Sequence, residues 1–232
     1  MKEKYLEMQR SQYNDEASKW SLKRRDPVVG SYDRHNAWSD YDKFLFKGIQ
    51  TNNMTALEYG CGPGRNMIKF HNRFSRIDGV DISPVNKEKA EINLKHNGIP
   101  FPNYYITPGD TIPTEDASYD LVFSVICLQH ICVHEIRYSI MKEAYRVLKS
   151  GGYFCAQMGY GGKTNVGTTV AEYYQNYYDA NGTNGRHDVI VTNEQNLKDD
   201  LTQIGFQNYS SDIRFVGPGD RHRNWLWFRV QK

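Results

Sequence analysis

The sequence predicts an α/β fold in which a mostly parallel sheet carries helices on both faces. Between residues 51 and 158, short apolar segments of strand type alternate with helical segments, a pattern typical of such sheets. A glycine-rich turn at 60–64 follows the first of these strands, and Asp81 ends the second. The 232 residues are enough for one domain of this kind and short for two.

Apolar periodicity and helix-stopping residues define the elements of the first two thirds of the chain. Apolar residues at helical spacing predict helices over 3–20 and 37–50. Asn97-Gly98 and Ser150-Gly151-Gly152 are typical helix stops and end two of the helices that follow. The central region is predicted to hold strands at 55–59, 77–81, 103–106, 119–125 and 152–158, with helices at 64–73, 84–96 and 135–149.

The last third of the chain has a different composition. Residues 159–185 are rich in Gly, Asn, Thr and Tyr, and their tyrosines predict one short aromatic helix within 170–178. A helix over 193–204, capped by Thr192 or Asn193, follows it. Strands near 208–216 and 225–230 bring the predicted sheet to seven strands.

Composition and charge argue against several classes of partner. The 29 basic and 27 acidic residues give a net charge of +2, so there is no electrostatic case for nucleic acid or an anionic membrane. The four cysteines lack metal-like spacing, and no metal site is expected. No apolar run is long enough to cross a membrane, and the charged N-terminus lacks a signal-peptide core. We therefore expect a cytoplasmic protein with free thiols.

The spacing of the glycines in the turn at 60–64 distinguishes between a dinucleotide and a cationic ligand. In the dinucleotide fingerprint the third glycine comes three places after the second, whereas here Gly64 comes two places after Gly62. Glu58, two residues before Gly60, disfavours a pyrophosphate by like-charge repulsion and suits a cationic ligand. Asp81 lies 81 − 60 = 21 residues after the first glycine, where an acid at a strand end binds ribose hydroxyls.

Five motifs follow one another between residues 50 and 160: 57–64 (LEYGCGPG), 80–83 (VDIS), 108–110 (PGD), 118–124 (SYDLVFS) and 144–152 (AYRVLKSGG). In this order they resemble the class I S-adenosylmethionine-dependent methyltransferases. The resemblance implies a Rossmann-like, seven-stranded sheet, mostly parallel with an antiparallel last strand, and S-adenosylmethionine as cofactor.

The same resemblance divides one domain, residues 1–232, into four parts. We expect an N-terminal helical cap at 1–50 and a cofactor-binding core at 51–158. A substrate-lid insert follows at 159–190, because long irregular connections are usually functional or disordered. The C-terminal helix and strands occupy 191–232.

Candidate cofactor residues follow the parts of S-adenosylmethionine. Glu58 is expected near the ammonium, Asp81 is expected to bind the ribose, and the resemblance implies that Asp110 accepts from the adenine amine. Asn66, in the first turn of the following helix, is a further candidate without an assigned part of the cofactor. Each has a structural alternative: a solvated strand residue for Glu58, an ordinary helix residue for Asn66, and a turn or helix cap for Asp81 and Asp110. The remaining candidates are Gly60, Cys61, Gly62 and Gly64 at the turn, Ile82 and Thr111 beside the ring, and Ser124 and Gln129 after strand four.

His130 is the candidate catalytic residue. It lies just past strand four, where the family places the sulfonium, and histidine is a natural general base at neutral pH. The alternative is that it lines the pocket or bonds the backbone. His134 is four residues on, so one helical face would carry both, but two histidines without a third ligand do not make a metal site.

The expected acceptor is a small polar molecule, with a hydroxyl of a sugar or sugar-nucleotide favoured by an aromatic and polar pocket. A peptide carboxylate or an amino-sugar amine are alternatives, and so is a catalytically silent binding scaffold. A nicotinamide-dependent reductase and a nucleic-acid methyltransferase lack their expected motifs. Candidate acceptor-binding residues are Tyr13, Tyr160, His134, His187 and His222.

Overall fold

A computed structural model describes residues 1–22, 40–163, 170–178, 188–216 and 222–232. Its helices are α1 (Lys2–Ser18), α2 (Arg65–Phe70), α3 (Pro84–His96), α4 (His134–Val147) and α5 (Glu194–Ile204), with a π-helical turn at Tyr41–Leu45 and a 3-10 turn at Leu128–His130. Its strands are β1 (Thr55–Tyr59), β2 (Arg76–Asp81), β3 (Tyr104–Ile106), β4 (Tyr119–Ser124), β5 (Leu148–Lys163), β6 (Val170–Glu172), β7 (Asp188–Val191), β8 (Gln207–Phe215) and β9 (His222–Gln231). No described helix is both long and apolar enough to cross a membrane.

The predicted α/β sheet is confirmed, with two short strands added. Seven strands lie in the order β3-β2-β1-β4-β5-β9-β8, and β9 runs antiparallel to β5 and β8. β7 pairs parallel with β5 at Gly159 and Tyr160, and β6 pairs parallel with β7. Because β9 pairs with the same two residues of β5, β7 lies on the β4 edge of β5 and β9 on the opposite edge.

The short aromatic helix predicted within 170–178 is wrong. The chain there forms β6 and then a turn, and the Tyr173 hydroxyl donates to Asp200 at 2.8 Å. The Arg137 guanidinium donates to the Tyr173 carbonyl, so this tyrosine packs inward as part of a tertiary network. The helix predicted over 37–50 is reduced to the turn Tyr41–Leu45, while residues 37–39 lie outside the described ranges.

The central strands β1, β2 and β4 are buried on both faces, as expected for parallel strands covered by helices. Alternate β1 residues face opposite sides: Leu57 belongs to one core cluster and Ala56 to the other. Leu57 packs in the cluster that includes α4 and α5, and Ala56 in the cluster around Phe123 and Trp227. The strands are therefore rigid, and the residues at their carboxyl ends have fixed positions.

Helix α1 is docked over the carboxyl ends of the strands. The Cys132 backbone N–H donates to the Tyr5 hydroxyl at 2.8 Å, and Tyr5 is buried. Lys2 pairs with Asp110 at 2.5 Å. Farther along, the Ser83 hydroxyl donates to Asn14 at 2.6 Å. These contacts place one face of α1 over the segments that follow β2, β3 and β4.

Candidate active site at the carboxyl ends of the strands

A cavity of about 600 Å³ lies between α1 and the carboxyl ends of the central strands. Its floor comes from the glycine-rich turn, the end of β2 and the turn after β4. Parallel α/β sheets bind ligands at this edge. The sequence-predicted residues that line it are Tyr13, Glu58, Gly60, Cys61, Gly62, Asn66, Asp81, Ile82, Gln129, His130 and His222.

The glycine-rich turn brings bare backbone to the cavity. Gly60 and Gly62 have φ angles of 76° and 51°, which side chains rarely adopt. A Cβ on Gly60 would lie 2.3 Å from the Cys127 sulfur, so no larger residue fits there. A Cβ on Gly62 would meet nothing within 4 Å, which leaves open space for a ligand beside this residue.

Asp81 is fixed by the turn and by its own helix. Its Oδ2 accepts from the Gly62 N–H at 2.9 Å, and its Oδ1 accepts from the Ser83 N–H at 2.9 Å and from Asn86 at 3.2 Å. Burial raises the pKa of this carboxyl, while these hydrogen bonds oppose the rise. The turn-capping interpretation of Asp81 is therefore correct, and the same side chain also lines the cavity.

Glu58 is buried, with 1% of its surface exposed, so its interpretation as a solvated strand residue is wrong. Its Oε1 accepts from Asn66 at 2.5 Å, which makes Asn66 more than an ordinary helix residue. Its Oε2 has no hydrogen-bond partner among the described residues. Burial raises the pKa of Glu58 to about 8, against the opposing effects of Asn66 and Arg65.

Several predicted cofactor residues do not line the cavity. The Asp110 carboxylate is paired with Lys2, and Thr111 is exposed. The Ser124 hydroxyl donates to the Tyr59 carbonyl at 2.9 Å, away from the cavity. Gly64 instead caps α2, and a Cβ there would lie 2.6 Å from Leu94.

Asp188 joins two histidines at the cavity wall. His130 Nδ1 lies 2.5 Å from Asp188 Oδ1, and His222 Nε2 lies 2.9 Å from Asp188 Oδ2. Burial alone raises the pKa of Asp188, but the two histidine hydrogen bonds outweigh it and hold this pKa well below its ordinary value. His130 Nε2 makes no hydrogen bond to the described residues, so it is available to a ligand. A histidine oriented by a carboxylate is suited to accept a proton.

Sequence reasoning missed Asp188, and no local signal marks it. It begins β7, a short strand inside the irregular segment 159–190, and lies 58 positions from His130. The only relevant pattern is the apolar run 189–191 that follows it, which fits a short buried strand.

The position of the His222 ring requires a glycine at position 159 on the neighbouring strand β5. A Cβ on Gly159 would lie 1.9 Å from His222 Nδ1, so the imidazole occupies the space that this glycine leaves open. His222 is 2% exposed. The glycine in β5 thus allows His222 to reach Asp188 from β9.

Of the other predicted acceptor residues, His134 and Tyr160 lie outside the cavity lining, and His187 lies outside the described residues. His134 does not line the cavity: its Nε2 lies 2.7 Å from Asp200, and its ring packs on Tyr173 and Tyr174. It begins α4, whereas His130 ends the 3-10 turn, so the prediction of one shared helical face is wrong.

Residues 57–156 match a family model described as a methyltransferase domain. The chain is similar to sterol 4-C-methyltransferase strm-1 of Caenorhabditis elegans, 31% identical over 44% of this chain and 30% of that protein. It is also similar to thiol S-methyltransferase TMT1A of Homo sapiens, 30% identical over 47% of this chain and 46% of that protein. The matched region thus spans less than half the length of either curated relative.

A solved structure extends the likeness to the whole fold. Phosphoethanolamine N-methyltransferase 2 of Haemonchus contortus, in complex with S-adenosylhomocysteine, matches with a TM-score of 0.61 and 16% identity. The match covers 88% of this chain and 56% of that protein. At this identity the likeness shows the fold and leaves the acceptor open.

Proposed function

Because the chain carries a class I S-adenosylmethionine-dependent methyltransferase domain, we propose that it methylates a hydroxyl of a small polar acceptor, with a sugar or sugar-nucleotide as the expected class. One observation carries the choice of a hydroxyl. His130, held by Asp188, lines the same cavity as the glycine-rich turn.

The residues around the turn fit the cofactor. Open space at Gly62 admits its amino-acid part, and Asp81 offers carboxylate oxygens at a strand end to the ribose. Burial keeps a proton on Glu58 near neutral pH, and its Oε2 has no hydrogen-bond partner among the described residues. A cationic group of the cofactor beside it would favour the ionised form, so the site suits the ammonium. When bound, S-adenosylmethionine supplies an electrophilic methyl group on a sulfonium.

The expected contact between Asp110 and the adenine amine requires a rearrangement. Asp110 is paired with Lys2 of α1 and lies outside the cavity lining. We therefore include Asp110 in the cofactor site on the condition that this ion pair opens when cofactor enters. The pair is solvent-accessible, since Lys2 is 40% exposed, so opening it costs little.

His130 is the proposed general base. Its Nδ1–H donates to Asp188, a tautomer assigned from this partner, and Nε2 then carries the lone pair that accepts the proton of the acceptor hydroxyl. Nε2 would take up this proton when the acceptor hydroxyl is methylated. His222 holds the second oxygen of Asp188 and so fixes its orientation.

The presence of an oriented base favours a hydroxyl over the alternative acceptors. A carboxylate is already ionised at neutral pH, and an amine needs only to arrive unprotonated, so neither needs a histidine positioned in this way. The acceptor side of the cavity is walled by Tyr13 from α1, by Trp20 just after that helix, and by Trp225 from β9. Aromatic walls with polar neighbours suit the faces and edges of a sugar ring.

A product screen tests this proposal. Purified protein is incubated with labelled S-adenosylmethionine and separate pools of sugars, sugar-nucleotides, peptides, small amines and thiols, and products are identified by mass. We expect an O-methylated product that His130→Ala reduces by ~10²–10⁴-fold. Product only from the amine, peptide or thiol pools would overturn the hydroxyl assignment. Cofactor binding without any product would favour a silent scaffold.

A further inference from the structure

The turn that carries His130 is held in a strained conformation by one buried side chain from β5. Ile126, two residues past the end of β4, has a φ of 52°, a value that a β-branched residue adopts only under constraint. Such backbone strain costs free energy and persists where the surrounding structure enforces it. At Ile126 the enforcing group is Gln157, whose Oε1 accepts from the Ile126 N–H at 3.1 Å.

Gln157 also holds the other end of the same turn. Its Nε2 donates to Gln129 Oε1 at 3.0 Å, and Gln129 immediately precedes His130. Gln157 is 0% exposed and does not line the cavity, whereas Ile126, Gln129 and His130 all do. One amide side chain thus bonds both the backbone of Ile126 and the side chain of Gln129, the first and last residues of the segment 126–129.

We propose that Gln157 is a positioning residue of the active site, which places the turn 126–129 and therefore His130 for methyl transfer. A buried amide with both functions satisfied fixes direction as well as distance, because its carbonyl and amino groups cannot exchange roles without breaking both bonds. The proposal rests on the proposed base, His130, for its effect on rate. The backbone constraint itself does not depend on the reaction.

Gln157→Met tests the role, because Met has a similar length and neither donates nor accepts strongly. We expect kcat to fall by up to ~10²-fold through misplacement of the base, while KM for S-adenosylmethionine changes less than twofold. Hydrogen exchange of the Ile126 amide should accelerate at least tenfold in the variant. Gln231→Met is the control, since the Gln231 amide also makes one donated and one accepted hydrogen bond, to the Gly151 carbonyl and from Asn208, but lies away from the cavity.

Gln157→Glu provides the conservative variant. In its neutral form a glutamic acid accepts from Ile126 and donates its O–H to Gln129, so both bonds survive. Ionisation removes the donor. We therefore expect the ratio of the Gln157→Glu kcat to the wild-type kcat to be close to one at pH 6 and to fall at pH 9. At pH 6 this ratio should be well above that of Gln157→Met. Thermal unfolding of each variant shows whether it is folded.

The outcomes separate this proposal from the proposed function. If Gln157→Met lowers kcat and exposes the Ile126 amide while His130→Ala loses less than tenfold, the positioning role stands and the base assignment fails. If no acceptor is found, amide exchange alone still tests the constraint. Unchanged exchange at Ile126 with kcat within twofold of the wild type overturns the role of Gln157. So does a loss that Gln231→Met reproduces.

Discussion

Glu58→Gln removes a buried ionisation without changing the shape of the side chain. Burial raises the pKa of Glu58 to about 8 from an ordinary 4.5. Between these values the folded protein keeps a proton that the unfolded chain has lost. Proton binding by Glu58 therefore contributes fully to the free energy of unfolding below pH 4.5, and this contribution is lost as pH rises towards 8. The window is 8 − 4.5 = 3.5 units wide, which at ~1.4 kcal/mol per unit gives a ceiling of about 5 kcal/mol.

Urea unfolding of both proteins at pH 4.5, 6, 7.5 and 8.5 measures this effect. Glutamine still accepts from Asn66 but does not titrate, so the other ionising groups are common to both proteins and cancel in the difference. We expect the free energy of unfolding of the variant, relative to the wild type, to rise steadily across this range by a few kcal/mol. A difference that stays constant within about 1 kcal/mol would refute burial as the cause, because one pKa unit alone corresponds to that amount.

Three further substitutions test the site. Asp81→Ala should weaken binding of S-adenosylmethionine by about 1.5–3 kcal/mol in calorimetry, the scale of hydrogen bonds to a charged group, and unchanged affinity would remove it from the ribose site. Asp188→Asn should lower kcat by a large part of the ~10²–10⁴-fold expected for His130→Ala, because the amide no longer favours the productive tautomer, and a change below threefold would contradict this. Gly159→Ala should displace the His222 ring and destabilise the protein by about 1–3 kcal/mol in thermal unfolding, and unaltered stability would show that the ring has room to move.

Local sequence patterns predicted the parts of the site that one stretch of chain builds. The strand, glycine turn and Asp81 lie within 26 residues, from 56 to 81, and each is specified by neighbours along the chain. The contacts of Asp188 and Gln157 are different. They join residues 58 and 31 positions apart, and only the pairing of strands decides that they meet. A pattern of spacing carries no signal for such a contact.

The wrong helix prediction at 170–178 has the same origin. Tyrosines at 173, 174, 177 and 178 have helical spacing, but the bond between Tyr173 and Asp200 overrides that preference. The adenine contact of Asp110 stays a prediction, and its position outside the cavity lining is set by Lys2, a partner that is also distant in sequence.

The pairing of β5 with β7 on one edge and β9 on the other fixes the positions of Asp188 and His222. Asp188 arrives on a strand bonded to one edge of β5, and His222 on a strand bonded to the other, so their meeting is fixed by backbone register. Shifting either strand by one residue would turn its histidine or aspartate to the opposite face. Because these contacts depend on strand pairing, the segments that connect the strands can change in length and composition without disturbing the bonds of Asp188 to His130 and His222. Substitutions in those segments are therefore expected to leave the geometry of this trio intact.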